Sequence, residues 1–121
     1  MSLGWIRWWF RAAAVYGIVA LLASLATQLR GTPTLDGIAF ALTALAFQLV
    51  FWIVGGNPVR YRPLMLAGVA EKLAFGVPVL VMAGTASAPM SVLPFGIIDL
   101  VLGAGFLIAW WRTPPEGRLG D

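Results

Sequence analysis

Residues 63–82 read PLMLAGVAEKLAFGVPVLVM, and only two of these side chains, Glu71 and Lys72, carry a charge. At a rise of about 1.5 Å per residue, a helix of this length extends roughly 30 Å, which matches the hydrocarbon core of a lipid bilayer. The stretch therefore predicts a membrane-spanning helix that carries an acid and a base near its middle.

Three further apolar runs of similar length occur in the chain. They cover residues 12–29, 37–54 and 92–111, and short links that contain glycine and proline separate the runs. Short links make consecutive helices antiparallel neighbours. We therefore predict an all-α membrane protein, a single domain over residues 1–121 that forms an antiparallel bundle of four transmembrane helices. We expect the first run to remain as a span, because it is longer than the apolar part of a cleaved signal.

The composition supports a membrane protein and excludes several kinds of site. The chain is 60% hydrophobic and 11% charged, with a mean hydropathy of +0.90, beyond the usual range of a soluble domain. It has no cysteine and no histidine, which removes thiolate metal sites, iron–sulfur clusters and the commonest metal and haem ligand. No catalytic motif is present. We therefore predict no metal, no cofactor and no catalytic residues.

The basic residues predict the orientation of the chain. Of the seven arginines, only Arg30 falls in the first link, and the other six fall in the terminal segments and the second link: Arg7, Arg11, Arg60, Arg62, Arg112 and Arg118. Because cytoplasmic segments carry the excess of arginine and lysine, both termini are predicted to be cytoplasmic. The arginines form no single patch, so we expect no nucleic-acid partner.

The tryptophans agree with this orientation. They all fall near the predicted cytoplasmic ends of the spans, where indole rings lie at the level of lipid headgroups: Trp5, Trp8, Trp9, Trp52, Trp110 and Trp111. We therefore expect these tryptophans and the nearby arginines to anchor the protein at one membrane interface.

Polar side chains within the spans are the candidate functional site: Gln48, Glu71, Lys72 and Asp99. On an insertion scale the nine Leu, Val and Phe residues of the third span contribute about −3 to −5 kcal/mol, whereas its acid and base cost about +5 to +7 kcal/mol. Helix rise places Gln48 level with Glu71, and places Asp99 about one turn from Lys72. We therefore expect an intramembrane polar cluster, with Glu71 and Lys72 facing different helices because adjacent residues point about 100° apart.

The cluster leaves three functions open. Its second carboxylate has no matching cation, so it is expected to bind a proton, to reach an arginine or to line a hydrated pocket. We favour a non-enzymatic accessory or structural protein that uses the cluster to join helices. The first alternative is a proton-linked or small-molecule-binding transport protein, and the second is a membrane subunit of a quinone- or lipid-linked enzyme. Besides lipid, a second copy or a membrane partner subunit is an expected contact.

Small and polar residues predict the packing faces and the helix ends. Small residues recur at helical spacing on the first two spans: Ala13, Gly17, Ala20, Ser24 and Thr27, then Gly37, Ala41 and Ala44 with Gln48. Such faces allow helices to approach closely in lipid. Thr34 and Ser91 precede apolar runs and are predicted to cap the second and fourth helices.

A resemblance to known proteins adds to this interpretation. The chain has NPVRYRPLM at residues 57–65, EKL at 71–73 and GIIDLVLG at 96–103. With these motifs it resembles, over roughly residues 10–113, a group of small uncharacterised bacterial inner-membrane proteins of four helices, which usually have Asp where this sequence has Asn57. The resemblance implies a bacterial inner membrane. A looser likeness in size and helix count connects the chain with DoxX-like proteins, some of which are linked to quinone-dependent oxidation.

Overall fold

A computed structural model describes residues 3–85 and 89–115 of the chain. This part contains no strand and four long helices, α1 (Gly4–Arg30), α2 (Leu35–Gly56), α3 (Arg62–Gly84) and α4 (Leu93–Arg112), with a 3-10 helix at Met90–Val92. The predicted all-α class is confirmed. Each of α1 to α4 is long and apolar enough to cross a membrane. Arg118, which contributed to the predicted orientation, lies outside the described residues.

The first helix is longer than its apolar run. It begins at Gly4 rather than at residue 12, and its 27 residues extend about 40 Å. A hydrocarbon core is roughly 30 Å thick, so a helix of this length has about two turns to spare. The Trp- and Arg-containing segment therefore forms the first turns of α1.

The chain divides into two compact units between Asn57 and Pro58. The first unit contains α1 packed on α2, which we refer to as hairpin 1, and the second contains α3 packed on α4, hairpin 2. In hairpin 1 the start of α1 contacts the end of α2, since Arg7 hydrogen-bonds to Gly56. In hairpin 2 the start of α3 contacts the end of α4 through Arg62 and Trp110. The helices of each hairpin are therefore antiparallel.

Hairpin 1 closes on aromatic and small residues. The buried residues of α1 are Ile6, Phe10, Ala13, Ala14 and Gly17. The rings of Phe10 and Phe51 lie 6.4 Å apart in a tilted arrangement, which is favourable for aromatic pairs. The predicted small-residue face is buried at Ala13 and Gly17 but exposed at Ser24 and Thr27. The buried face thus continues toward the N-terminus of α1, where its two large side chains, Ile6 and Phe10, are buried.

One predicted helix cap is confirmed and the other is wrong. Thr34 caps α2, and its Oγ1 accepts a hydrogen bond from the Gly37 N–H at 3.0 Å. Ser91 instead lies within the 3-10 helix, and α4 begins after Val92 without a side-chain cap. A 3-10 turn supplies backbone hydrogen bonds at a helix start, here from the Val92 N–H to the Pro89 carbonyl at 3.2 Å.

The contact between α3 and α4 in hairpin 2, which we refer to as the seam, is rich in glycine. The buried residues of α3 recur every three or four positions and include a lysine: Met65, Gly68, Lys72, Gly76 and Val79. The buried residues of α4 are Gly96, Gly103, Gly105, Phe106 and Ala109. A Cβ added to Gly96 would lie 2.6 Å from a methyl carbon of Val79. The glycines therefore allow the two helices to approach closely, as small residues do in membrane helices.

Candidate functional site

Lys72 lies in the seam between α3 and α4 and is 2% exposed. A Cβ added to Gly103 would lie 2.9 Å from the Lys72 Cβ, so the lysine stem crosses α4 where α4 has no side chain. On its own helix Lys72 is flanked one turn away by Gly68 and Gly76, which are also buried. The glycine pattern of hairpin 2 thus provides the space for a buried lysine.

The Lys72 ammonium contacts carboxylates from both helices. Its Nζ lies 3.4 Å from Oδ1 of Asp99 on α4 and 3.5 Å from Oε2 of Glu71 on α3. A direct charge-assisted hydrogen bond is usually about 2.7–2.9 Å long, so both contacts are longer than a strong hydrogen bond. The ammonium donates a hydrogen bond to Asp99 and forms an ion pair of nearly the same length with Glu71. The side chain of Glu71 is 14% exposed and that of Asp99 is 13% exposed. We refer to Glu71, Lys72 and Asp99 as the triad.

The structure brings together three of the four residues expected in the polar cluster. Lys72 reaches Asp99 across the seam, as its flexible stem suggested. Glu71 and Lys72 are adjacent on α3, yet their charged ends approach because both side chains are long. The fourth residue, Gln48, belongs to hairpin 1, where its described contacts are with Ala44 and Gly17.

Gln48 is the buried polar side chain of hairpin 1, with 1% exposure. Its Nε2 donates to the Ala44 carbonyl at 2.8 Å, while its Oε1 accepts no hydrogen bond from the described residues. That oxygen faces Gly17 so closely that a Cβ there would overlap it. The Gly17 Cα–H is a weak donor for such an oxygen. Gln48 therefore belongs to the contact between α1 and α2.

The predicted anchor arginines make specific contacts at one end of hairpin 1. Arg7 Nη1 donates to the Gly56 carbonyl at 2.6 Å, and Arg11 Nε donates to the Trp52 carbonyl at 2.9 Å. The Arg11 guanidinium also lies 3.9 Å from the centroid of the Trp52 ring, a cation–π distance. The last carbonyls of a helix lack intrahelical donors and carry a partial negative charge. Arg7 therefore satisfies one of these last carbonyls, at Gly56, and Arg11 binds the Trp52 carbonyl one turn earlier.

Hairpin 2 repeats this contact with different residues. Arg62 Nε donates to the Trp110 carbonyl at 3.0 Å, and its guanidinium lies 4.6 Å from the Trp110 ring. In both hairpins an arginine near the start of the first helix holds a tryptophan near the end of the second. The sequence shows no repeat between its halves, so this correspondence emerges from the contacts alone.

The remaining predicted anchors lie at the same helix ends. In hairpin 2, Arg60 lies over the Tyr61 ring at 5.7 Å and Arg112 over the Trp111 ring at 5.9 Å. Trp8 and Trp111 are 67% and 73% exposed, and Trp9 is partly buried. Each hairpin therefore has one end where guanidinium groups and indole rings are mixed.

Gly55 and Gly56 are needed at the end of hairpin 1 and were not among the predicted site residues. A Cβ on Gly55 would lie 2.8 Å from Arg11 Cγ and 3.1 Å from the Arg7 carbonyl oxygen, and one on Gly56 would lie 2.8 Å from Arg11 Nη2. A glycine pair after an apolar run indicates a helix end. The glycine pair does not by itself indicate that α1 approaches α2 closely at this point.

Comparison with known protein families, with curated proteins and with solved structures finds no match for this chain. The class of protein therefore follows from the described residues alone. It is a helical protein of two hairpins, each built from helices long enough and apolar enough to span a membrane. The second hairpin holds a triad of one buried ammonium and two partly buried carboxylates.

Proposed function

We propose that this chain is an integral membrane protein of accessory or structural type, whose triad holds α3 against α4. The observation that supports this proposal is the Lys72 ammonium, buried in the seam within 3.5 Å of a carboxylate from each helix. A lone charge in a low-dielectric interior costs several kcal/mol, whereas opposed charges compensate one another. Sliding or separation of the two helices would uncover these charges, so the triad favours one register of the hairpin.

The proposal includes a location and an orientation. The resemblance of the NPVRYRPLM and GIIDLVLG motifs to small bacterial membrane proteins supports a bacterial inner membrane. The excess of arginine at the termini and in the second link supports cytoplasmic termini. Attachment of a reporter enzyme that is active only in the cytoplasm to each terminus tests the orientation. Activity at both termini is expected, and activity at only one would contradict it.

A double-mutant cycle tests the structural role of the triad. Lys72→Met leaves two partly buried carboxylates without their cation, so we expect the free energy of unfolding in detergent to fall by about 3 kcal/mol. Asp99→Asn is expected to cost less, because Glu71 still faces the ammonium. The double variant is expected to recover part of the loss, with a coupling energy of about 0.5–3 kcal/mol.

The control for this cycle is Arg30→Met, which removes a charge at the end of α1, outside the triad. Unfolding is followed by far-ultraviolet circular dichroism in the same detergent for every variant. Single variants as stable as the parent protein, or effects that simply add, would contradict the proposed role.

A second candidate function is favoured by the unequal charges of the triad. Two carboxylates share one ammonium, and the buried Oε2 of Glu71 accepts no hydrogen bond from the described residues. Carboxylates without a full complement of partners inside membranes commonly belong to proton relays and substrate pathways. We propose as the alternative a proton-linked or small-molecule-binding transport protein in which Glu71 takes up a proton or a cationic group.

Proteoliposomes that contain a pH-sensitive dye test this alternative. Under an imposed proton gradient, Glu71→Gln is expected to abolish protein-dependent proton flux without lowering the unfolding midpoint. Asp36→Asn, which changes an acid in the first turn of α2, is the matched control and is expected to retain the flux. A flux unchanged in Glu71→Gln, or absent in the parent protein, counts against the transport role.

A further inference from the structure

The end of hairpin 1 holds two guanidinium groups side by side. Arg7 and Arg11 lie one turn apart on α1, and both donate to carbonyls in the last two turns of α2. A guanidinium has five N–H donors, and these hydrogen bonds engage only Nη1 of Arg7 and Nε of Arg11. The contacts with α2 thus fix the positions of the two guanidinium groups. Most of their N–H groups do not donate to α2.

The positive charge of this end is not matched within its own hairpin. The only acidic residue among residues 1–57 is Asp36. It lies in the first turn of α2, about 24 Å along the helix from Trp52. The dipole of α2 offsets only about half of one charge. The pair of arginines therefore presents a site of positive potential that attracts an anion.

The surroundings of the pair indicate where that anion would be. Trp5, Trp8 and Trp52 are 40%, 67% and 42% exposed at this end of the hairpin. Indole rings prefer the level of lipid headgroups, since one part of the ring system is apolar and the N–H is polar. Arginines at the same depth would lie beside the phosphates of the surrounding lipids.

We propose that Arg7 and Arg11 form a binding site for the phosphate group of an anionic phospholipid. This inference rests on the proposed membrane location. Guanidinium groups match phosphate oxygens with paired hydrogen bonds, and their fixed positions reduce the entropy lost on binding. Gly55 and Gly56 contribute by allowing Arg11 to lie flat across the end of α2. The exposed indoles would cover the adjacent glycerol and upper acyl chain.

Native mass spectrometry of the purified full-length protein tests the site. The detergent contains equal amounts of phosphatidylglycerol and phosphatidylcholine, and the ratio of the two bound lipids is measured. We expect the parent protein to retain phosphatidylglycerol preferentially and Arg7→Gln/Arg11→Gln to lower that ratio about tenfold.

The matched control is Arg60→Gln/Arg112→Gln, which removes the same charge from hairpin 2 and is expected to lower the ratio much less. Equal losses in the two variants, or no preference in the parent protein, would mean attraction by net charge alone and overturn the site. If Arg7→Gln/Arg11→Gln does not fold, Arg7→Lys/Arg11→Lys replaces it. An unchanged ratio in the lysine variant overturns the guanidinium site.

Two further measurements separate the sources of phosphate and the two proposals. Excess inorganic phosphate is expected to leave phosphatidylglycerol bound, and its displacement would contradict a lipid ligand. Recovery of the protein from cells without detergent would overturn the membrane proposal itself. A protein that requires detergent but shows no preference for phosphatidylglycerol would overturn the lipid site alone.

Discussion

A Cβ added to Gly103 would lie 2.9 Å from the Cβ of Lys72, closer than real Cβ atoms approach. Both carbons are attached directly to a backbone, so neither can rotate away, and α3 and α4 would have to separate locally. Gly17 differs in this respect, because the atoms that face it belong to the flexible end of Gln48. An added side chain is therefore tolerated less well at Gly103 in hairpin 2 than at Gly17 in hairpin 1.

Gly103→Ala is expected to lower the free energy of unfolding by about 1–3 kcal/mol, because it pushes Lys72 away from α4. The matched control is Gly84→Ala at the end of α3, where an added Cβ meets nothing within 4 Å and the expected change is within about 0.5 kcal/mol. Thermal unfolding in detergent measures both. Equal stability of the two alanine variants would contradict this prediction, because it would mean that α3 and α4 accommodate the added Cβ without loss of stability.

At the scale of the element, the start of α2 is more firmly built than the start of α4. The Thr34 side chain caps α2, and the Thr34 N–H donates to Gln28 Oε1 at 3.1 Å, which ties the link to the end of α1. The first turn of α4 has no comparable side-chain cap. The link between α1 and α2 is therefore held by side chains as well as by its short length.

Thr34→Ala should cost about 1 kcal/mol of stability, because the Gly37 N–H at the start of α2 loses its acceptor. Thr32→Ala, an exposed position two residues earlier, is the control and is expected to have little effect. Unfolding midpoints in detergent provide the comparison. A cap that contributes nothing would give the same midpoint for both variants.

At the scale of the whole molecule, the proposed membrane location has different consequences for the two hairpins. Hairpin 1 has no charged residue in the middle of either helix, whereas α3 carries Glu71 and Lys72 there. The insertion cost of these two charges, about 5–7 kcal/mol, exceeds the contribution of the large apolar residues of the same span. We infer that α3 depends on α4, which supplies Asp99, to insert well.

An insertion reporter fused after residue 88 or after residue 121 tests this dependence. A fragment of residues 58–88 is expected to insert poorly and one of residues 58–121 to insert well, because the latter supplies the partner helix. Glu71→Leu/Lys72→Leu in the shorter fragment should restore insertion and serves as the control. Equal insertion of the two unaltered fragments would contradict the dependence.

The helices themselves are determined by local sequence. Four apolar runs of membrane length and the short links between them predict the all-α class, and the Thr34 cap follows from side-chain chemistry that acts within one turn. The pairing of Lys72 with Asp99 could also be predicted from the sequence, because helix rise alone places the two residues about one turn apart in antiparallel helices.

The contacts that hold each hairpin were decided only by the tertiary structure. Three contacts depend on the rotation of one helix against its neighbour. They are the packing of Lys72 against Gly103, the packing of the Gln48 amide against Gly17, and the hydrogen bond from an arginine to a tryptophan carbonyl in each hairpin. Hydropathy sets how far a helix extends in an apolar medium. It does not set which face of that helix meets a partner, because lipid is as apolar as the facing side chains and the choice is left to packing and polar pairing.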